Sequence, residues 1–158
     1  MKKLLLGLAV SSVVLMAGDI SSGMKYLDSG ETTKAFTEFQ KLAKSGDVDA
    51  STMLGEMYLD GIGVEQDSKK AYYWIQKAAN EGDKEAQYLL GFMYENGIEV
   101  KQDITQAVSW YEKAANKGDI MAMYNLAFIY KNGTGGVKKD MDKAVSLLSE
   151  VQEAKSKM

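Results

Sequence analysis

The sequence predicts an all-α repeat protein with two helices per unit, because five kinds of residue recur at a spacing of 36. The five columns hold a Gly-Asp pair, an alanine, a leucine, a tyrosine and a glycine. In that order they are Gly46-Asp47, Gly82-Asp83 and Gly118-Asp119; Ala50, Ala86 and Ala122; Leu54, Leu90 and Leu126; Tyr58, Tyr94 and Tyr130; and Gly61, Gly97 and Gly133. Agreement of five columns at one period indicates stacked supersecondary units.

Residues 19–46 are predicted to form an atypical N-terminal helix pair. A first helix spans 20–29, and a second helix over 32–45 carries its apolar residues on one face. Tyr26 lies 32 residues before Tyr58 instead of 36, so this unit has a shorter loop than the others. An atypical unit is typical of the end of a repeat stack.

Three full repeats follow, over 47–82, 83–118 and 119–158, and the last includes a C-terminal capping helix. An aspartate precedes each helix of these repeats, and a short carboxylate there accepts hydrogen bonds from free backbone N–H groups. The six aspartates are Asp47, Asp83 and Asp119 before the first helices, and Asp67, Asp103 and Asp140 before the second helices. Gln106 is placed to complete a capping box with Asp103.

The helix interiors predict how the two helices of a unit meet. Gly55 and Gly91 lie inside first helices, where glycine costs about 1 kcal/mol relative to alanine, so we expect the partner helix to approach closely there. We expect Trp74 and Trp110 to be the large core residues of the second helices, together with the tyrosine column. Leu147 replaces the tryptophan in the third repeat.

The third repeat departs in two further ways. Its loop, Gly133-Thr134-Gly135-Gly136, is one residue longer than the others. Its last helix ends in the polar segment 153–157, which suits a terminal helix that no further repeat covers.

A family resemblance is carried by the first full repeat. Residues 54–64 read LGEMYLDGIGV, and Asp67, the segment 70–74 (KAYYW) and the segment 77–79 (KAA) follow. This pattern resembles the Sel-one-like repeat, a 36-residue relative of the tetratricopeptide repeat, over residues 46 to 151. The resemblance implies an α/α superhelical solenoid of antiparallel helix pairs with a concave face. It also implies a scaffold or adaptor role, in bacteria often in the periplasm.

The composition excludes several classes of function. The chain has 158 residues and contains no histidine, cysteine or proline, and all 19 basic residues are lysines. Common nucleophile–base pairs and zinc sites therefore cannot be built, and the guanidinium fork that binds phosphate is missing. A net charge of -3 disfavours a nucleic-acid surface. We expect no catalytic residue, no cofactor, no metal and no nucleic acid.

Residues 1–18 have the layout of a secretory signal peptide. Lys2 and Lys3 precede an apolar run from Leu4 to Met16, which is too short for a comfortable transmembrane helix. Cleavage after residue 17 or 18 would leave a periplasmic or secreted protein. The residue three positions before either cleavage site is larger than preferred, which leaves an uncleaved membrane anchor as the alternative.

Three sequence patterns can be interpreted either as catalytic or ligand-binding sites or as structural features. Ser22 and Lys25 match Ser-x-x-Lys, and cysteine-rich secreted relatives of this repeat are described as penicillin-binding; a penicillin-binding or β-lactamase-like protein is therefore the alternative function. The chain lacks both the partner motifs and the cysteines. The segment Lys131–Lys139 is similar to a phosphate loop but lacks its Gly-Lys-Ser/Thr ending. Asp67, Asp103 and Asp140 could be paired carboxylates, but helix caps explain them.

Eight residues are candidates for binding a protein or peptide partner. In tetratricopeptide relatives the first helix of each unit lines the concave face, and positions two before and two after the leucine column point there. The candidates are Thr52, Glu56, Tyr88, Phe92, Asn96, Tyr124, Phe128 and Asn132. Acidic residues on or near the same helices predict a neutral to basic partner. The alternative is that the four aromatic residues pack between neighbouring repeats.

Overall fold

The computed structural model describes residues 20–157, which form eight α-helices and contain no β-strand within that range. The helices are α1 (Ile20–Asp28), α2 (Thr32–Lys44), α3 (Val48–Asp60), α4 (Ser68–Glu81), α5 (Lys84–Asn96), α6 (Ile104–Ala115), α7 (Ile120–Asn132) and α8 (Met141–Ser156). The predicted all-α fold and the number of helices are confirmed. The predicted signal peptide, residues 1–18, lies outside the described residues.

The helices pack as a linear stack of hairpins. All the extensive helix–helix contacts join consecutive helices, both within a pair, as for α3 with α4, and between pairs, as for α4 with α5. This is the arrangement of a solenoid, in which each unit contacts only its neighbours. The predicted repeat architecture is therefore confirmed.

Aspartate side chains cap the six helices of the full repeats, as predicted. The carboxylate oxygens accept hydrogen bonds from the backbone N–H three residues later, at distances of 2.7–3.0 Å. The predicted capping box is wrong, because the Asp103 N–H donates to the Tyr94 carbonyl (2.9 Å) instead of to Gln106. The cap of α6 therefore also ties it to the end of α5.

Glycines allow the two helices of a repeat to touch, as predicted. A Cβ atom added at Gly55 would lie 2.5 Å from Ile75 Cγ1, and one at Gly91 would lie 2.6 Å from Tyr111 Cδ1. These distances are shorter than any real Cβ contact, so a large side chain of the second helix rests directly on the first helix.

The expected roles of Trp74 and Trp110 as core residues are corrected. Both side chains are half-buried, whereas the next residues, Ile75 and Tyr111, are completely buried. Both tryptophans pack against the core cluster of α2 to α5, although Trp110 belongs to α6. Tyr94, which was also expected in the core, is half-buried where the two core clusters of the stack meet.

Tyr111 joins three successive helices. Its hydroxyl donates a hydrogen bond to Glu95 Oε2 on α5 (2.5 Å) and accepts one from Asn125 Nδ2 on α7 (2.9 Å). Burial, and then the hydrogen bond to Glu95, raise the pKa of Tyr111. The phenol therefore stays protonated and links the second repeat to the third.

The C-terminal helix exposes an apolar face in its first turns. Met141, Val145 and Leu148 are exposed on α8, and Val145 is 61% exposed. In the second repeat the equivalents of Val145 and Leu148 are Val108 and Tyr111, which are buried. The polar segment that the sequence predicts, residues 153–157, is mostly exposed beyond this apolar face.

A branched side chain at Gly91 should disrupt the contact with Tyr111. We expect Gly91→Val to lower the free energy of unfolding by about 1–3 kcal/mol, because the added atoms overpack a closed helix interface. Urea denaturation followed by circular dichroism measures this. The control is Lys84→Val at an exposed site on the same helix; equal stability of the two variants would contradict the interface.

Candidate partner-binding surface

The predicted binding residue Thr52 does not lie on an open surface. Its side chain is only 3% exposed, and its hydroxyl donates to Asp83 Oδ1 at 2.8 Å. Asp83 is the N-cap of α5, so Thr52 joins the first full repeat to the second. Its predicted role in partner contact is corrected to a contact between repeats.

Glu56 lies in a group of acidic side chains between α3 and α5. Burial, followed by the charges of Glu85, Asp60 and Asp83, raises its pKa to about 7. We call Glu56, Asp60, Asp83 and Glu85 the acidic stripe. Within residues 20–157, no group of three or more acidic side chains is arranged to hold a metal ion.

The acidic stripe continues toward the third repeat. Burial raises the pKa of Glu85, and the negative charges of Asp83 and Asp119 raise it further. The charges of Asp83 and Asp119 therefore make ionisation of Glu85 less favourable. A cationic group placed along the stripe would relieve this repulsion.

Tyr88 and Phe92 are half-buried between two repeats. Both pack against the core cluster of α6 to α8, and the ring of Tyr88 lies 5.8 Å from the ring of Tyr111, measured between centroids. Burial also raises the pKa of Tyr88. These contacts favour the alternative that this aromatic pair packs between neighbouring repeats.

Tyr124 and Phe128 occupy the same positions in the third repeat but are open to solvent. Tyr124 is 36% exposed and Phe128 is 61% exposed. They line a groove of about 400 Å³ together with Leu148 of α8. The Lys155 ammonium donates to the Tyr124 hydroxyl (2.9 Å) and lies 5.1 Å from its ring centroid.

The two asparagines are exposed at the C-terminal ends of α5 and α7. The Asn96 side-chain amide donates to the Phe92 carbonyl of its own helix at 2.9 Å. A partner backbone would have to replace that hydrogen bond. Asn132 lies one turn beyond Phe128, at the edge of the open aromatic pair.

Two residues of α8 that were not predicted from the sequence also contribute to this surface. Leu148 completes the groove beside Phe128, and Lys155 holds Tyr124. The spacing of Met141, Val145 and Leu148 marks one helical face, which could have indicated an exposed apolar side.

The family model of the Sel1 repeat matches residues 48–83, 84–119 and 120–150. The chain belongs to the Sel1 repeat family. Proteins of this family are typically protein-interaction scaffolds. The three matched segments begin one residue after the repeats that the sequence periodicity predicts.

Solved structures agree with this assignment. A Sel1 repeat protein from Oxalobacter formigenes is 32% identical over 86% of this chain and 55% of its own, with a TM-score of 0.80. The c5321 protein, a protective antigen present in uropathogenic Escherichia coli strains, displays an SLR fold. It is 30% identical over 86% of this chain and 31% of its own, with a TM-score of 0.78. The chain therefore spans about half and a third of these structures. No curated protein matches it.

The Helicobacter pylori cysteine-rich protein B is 23% identical over 68% of this chain and 94% of its own, with a TM-score of 0.53. A likeness at that identity shows the fold alone, so it does not support the penicillin-binding alternative. In the described residues, the segment Lys131–Lys139 consists of the last two residues of α7 and most of the link to α8, and Asp67, Asp103 and Asp140 are caps. No helix between residues 20 and 157 could span a membrane.

The acidic stripe should make stability depend on pH through Glu56. Its pKa is higher in the folded protein than its ordinary 4.5, so the folded state holds the proton longer, and the free energy of unfolding falls as pH rises to about 7. Glu56→Gln has no carboxyl group to ionise, so its free energy of unfolding should not fall for this reason. We expect the stability of the variant relative to the wild type to increase across that range and then level off.

Urea denaturation at several pH values measures the difference. Glu81→Gln, at an exposed site on α4, is the control and should show no comparable trend. A constant difference between Glu56→Gln and the wild type would contradict the raised pKa.

Proposed function

We propose that this protein is an exported interaction scaffold that binds a protein or peptide partner on the face formed by its first helices. The observation that carries the proposal is the open aromatic pair Tyr124 and Phe128 in its groove with Leu148. Large apolar side chains that remain exposed and adjacent in a folded protein mark interaction sites. The helix pairs of a repeat stack place one helix of every pair on the same side, and together these helices provide an extended surface.

The chemistry of the surface selects the partner. An aromatic groove on α7 and the acidic stripe between α3 and α5 lie on first helices of the same stack. A bound segment would therefore place an apolar side chain against Phe128 and a lysine or arginine near Glu56. Such a segment is neutral to basic and amphipathic, either extended or helical.

Most of the binding energy is assigned to the third repeat. Phe128 is far more exposed than its half-buried equivalent Phe92, so it has more apolar surface to lose on binding. Aromatic anchors of this kind typically contribute about 2 kcal/mol or more to an interface. Tyr124 adds a ring whose hydroxyl is already held by Lys155, which reduces the freedom lost on binding.

Export is supported by the pattern of residues 1–18, with a positive start, an apolar run and small residues before Asp19. The location that follows is the periplasm or the exterior of the cell. The chain contains no cysteine, so it needs no disulfide to be stable in either place.

The binding face is tested by placing the photo-crosslinking residue benzoylphenylalanine at position 128. The matched control is position 73, because Tyr73 is an equally exposed aromatic residue (60%) on the second helix α4. We expect crosslinks to a defined partner only from position 128. The partner, once identified by mass spectrometry, should bind Phe128→Ala at least tenfold more weakly than wild type.

Calorimetric titration measures that affinity, and thermal unfolding should show that Phe128→Ala and Tyr73→Ala keep the melting temperature of the wild type within a few degrees. If Tyr73→Ala weakens binding as much as Phe128→Ala, the first-helix face is not the site.

Export has a separate test. Residues 1–18 fused to a reporter that is active only in the periplasm should give activity, and the mature protein should begin at Gly18 or Asp19. N-terminal sequencing of the exported protein shows where cleavage occurs. Full-length protein found only in the cytosol would contradict export while leaving the binding face untouched.

A further inference from the structure

A second groove, of about 690 Å³, lies between α6, α7 and α8. Its apolar floor consists of Met123, Leu126 and Tyr130, which are on a different side of α7 from Phe128. Leu147 of α8 forms part of its wall. A concave site of this volume is within the range of sites that bind small molecules and side chains.

The sequence explains why the groove exists in this repeat. Leu147 stands 37 residues after Trp110 and 73 after Trp74, at the tryptophan position of the second helix. Those tryptophans are half-buried against the core cluster of α2 to α5, and Leu147 is half-buried against the core cluster of α6 to α8. A leucine fills less of the space than an indole does. The groove therefore lies beside the position at which the other two repeats carry an indole.

A lysine accompanies each tryptophan three residues later. The Lys77 ammonium lies 5.1 Å from the ring centroid of Trp74, and the Lys113 ammonium lies 3.5 Å from that of Trp110. In the third repeat Glu150 takes this position and lines the groove. The third repeat has thus replaced both the indole and the cation above it.

The charges around the groove favour a cation. Two carboxylates, those of Glu112 and Glu150, line it, together with a single lysine, Lys143. The Lys143 ammonium lies 4.7 Å from the Tyr130 ring centroid. Glu112 Oε1 is held in place by the Tyr130 hydroxyl, which donates to it at 2.8 Å. Glu150 takes the position of the lysine that lies over the indole in the other repeats. A positive charge next to an incoming aromatic residue would therefore be attracted to the Glu150 carboxylate.

We propose that this groove binds a tryptophan side chain of a partner segment that carries a lysine or arginine next to it. The indole would lie on Met123 and Leu126, and the neighbouring cation would approach Glu150. This is a second site, independent of the aromatic groove on α7 on which the proposed function rests.

The test titrates the full chain with the N-acetylated peptide amide Lys-Trp-Lys and follows backbone amides by NMR. We expect shifts at Ala115, Met123 and Ser146, with a Kd of about 1 mM, the range for one aromatic group with two charges. Lys-Ala-Lys, which has the charges without the indole, should bind at least tenfold more weakly.

Leu147→Trp is the decisive variant, since its larger side chain would extend into the groove. It should weaken Lys-Trp-Lys binding at least tenfold and raise the melting temperature. Phe128→Ala should leave this binding unchanged, which separates the site from the proposed partner surface. Unchanged peptide binding by Leu147→Trp would overturn the proposal.

Glu150→Gln keeps the test decisive if Leu147→Trp fails to fold, because residue 150 is exposed. Loss of the carboxylate should weaken Lys-Trp-Lys binding about twofold to fivefold, and added salt should remove the difference. Equal affinity of Glu150→Gln and wild type at low salt, or shifts at Phe128 without shifts at Met123, would also overturn the proposal.

Discussion

The stack depends on one contact, in which a large side chain of the second helix lies on the bare backbone of the first. Tyr111 rests on Gly91 in this way, and Ile75 rests on Gly55. Because glycine has no Cβ, the two helices approach closely, and the buried ring of Tyr111 then reaches both Glu95 and Asn125. The same residue therefore closes one repeat and positions the next.

The helices and their ends were predictable because they depend on local chemistry. An aspartate accepts the free N–H groups of the helix that follows it, wherever that helix later packs. Which of two adjacent large residues faces inward was not predictable in the same way. Trp110 and Tyr111 differ by one position, or about 100° around the helix, and the glycine on the facing helix decides between them.

The candidate surface was predictable as a set of positions but not as a set of exposed side chains. Phe92 and Phe128 occupy the same column, and they differ only in what covers them: Phe92 packs against the core cluster of α6 to α8. Thr52 has the same position relative to its leucine as Tyr124 has, yet its hydroxyl donates to Asp83, the N-cap of α5 in the next repeat. The exposure of a side chain in a repeat stack depends on which residues of the neighbouring repeat cover it. Comparing equivalent positions in the sequence does not reveal those neighbours.

The predominance of contacts between consecutive helices also sets how the chain folds. Each helix meets its partners within a short stretch of sequence, and topologies with such local contacts fold fast. With no proline and no cysteine in the chain, neither prolyl isomerisation nor disulfide formation can add a slow phase. Hairpins can therefore assemble one after another as the chain emerges, without waiting for a distant segment.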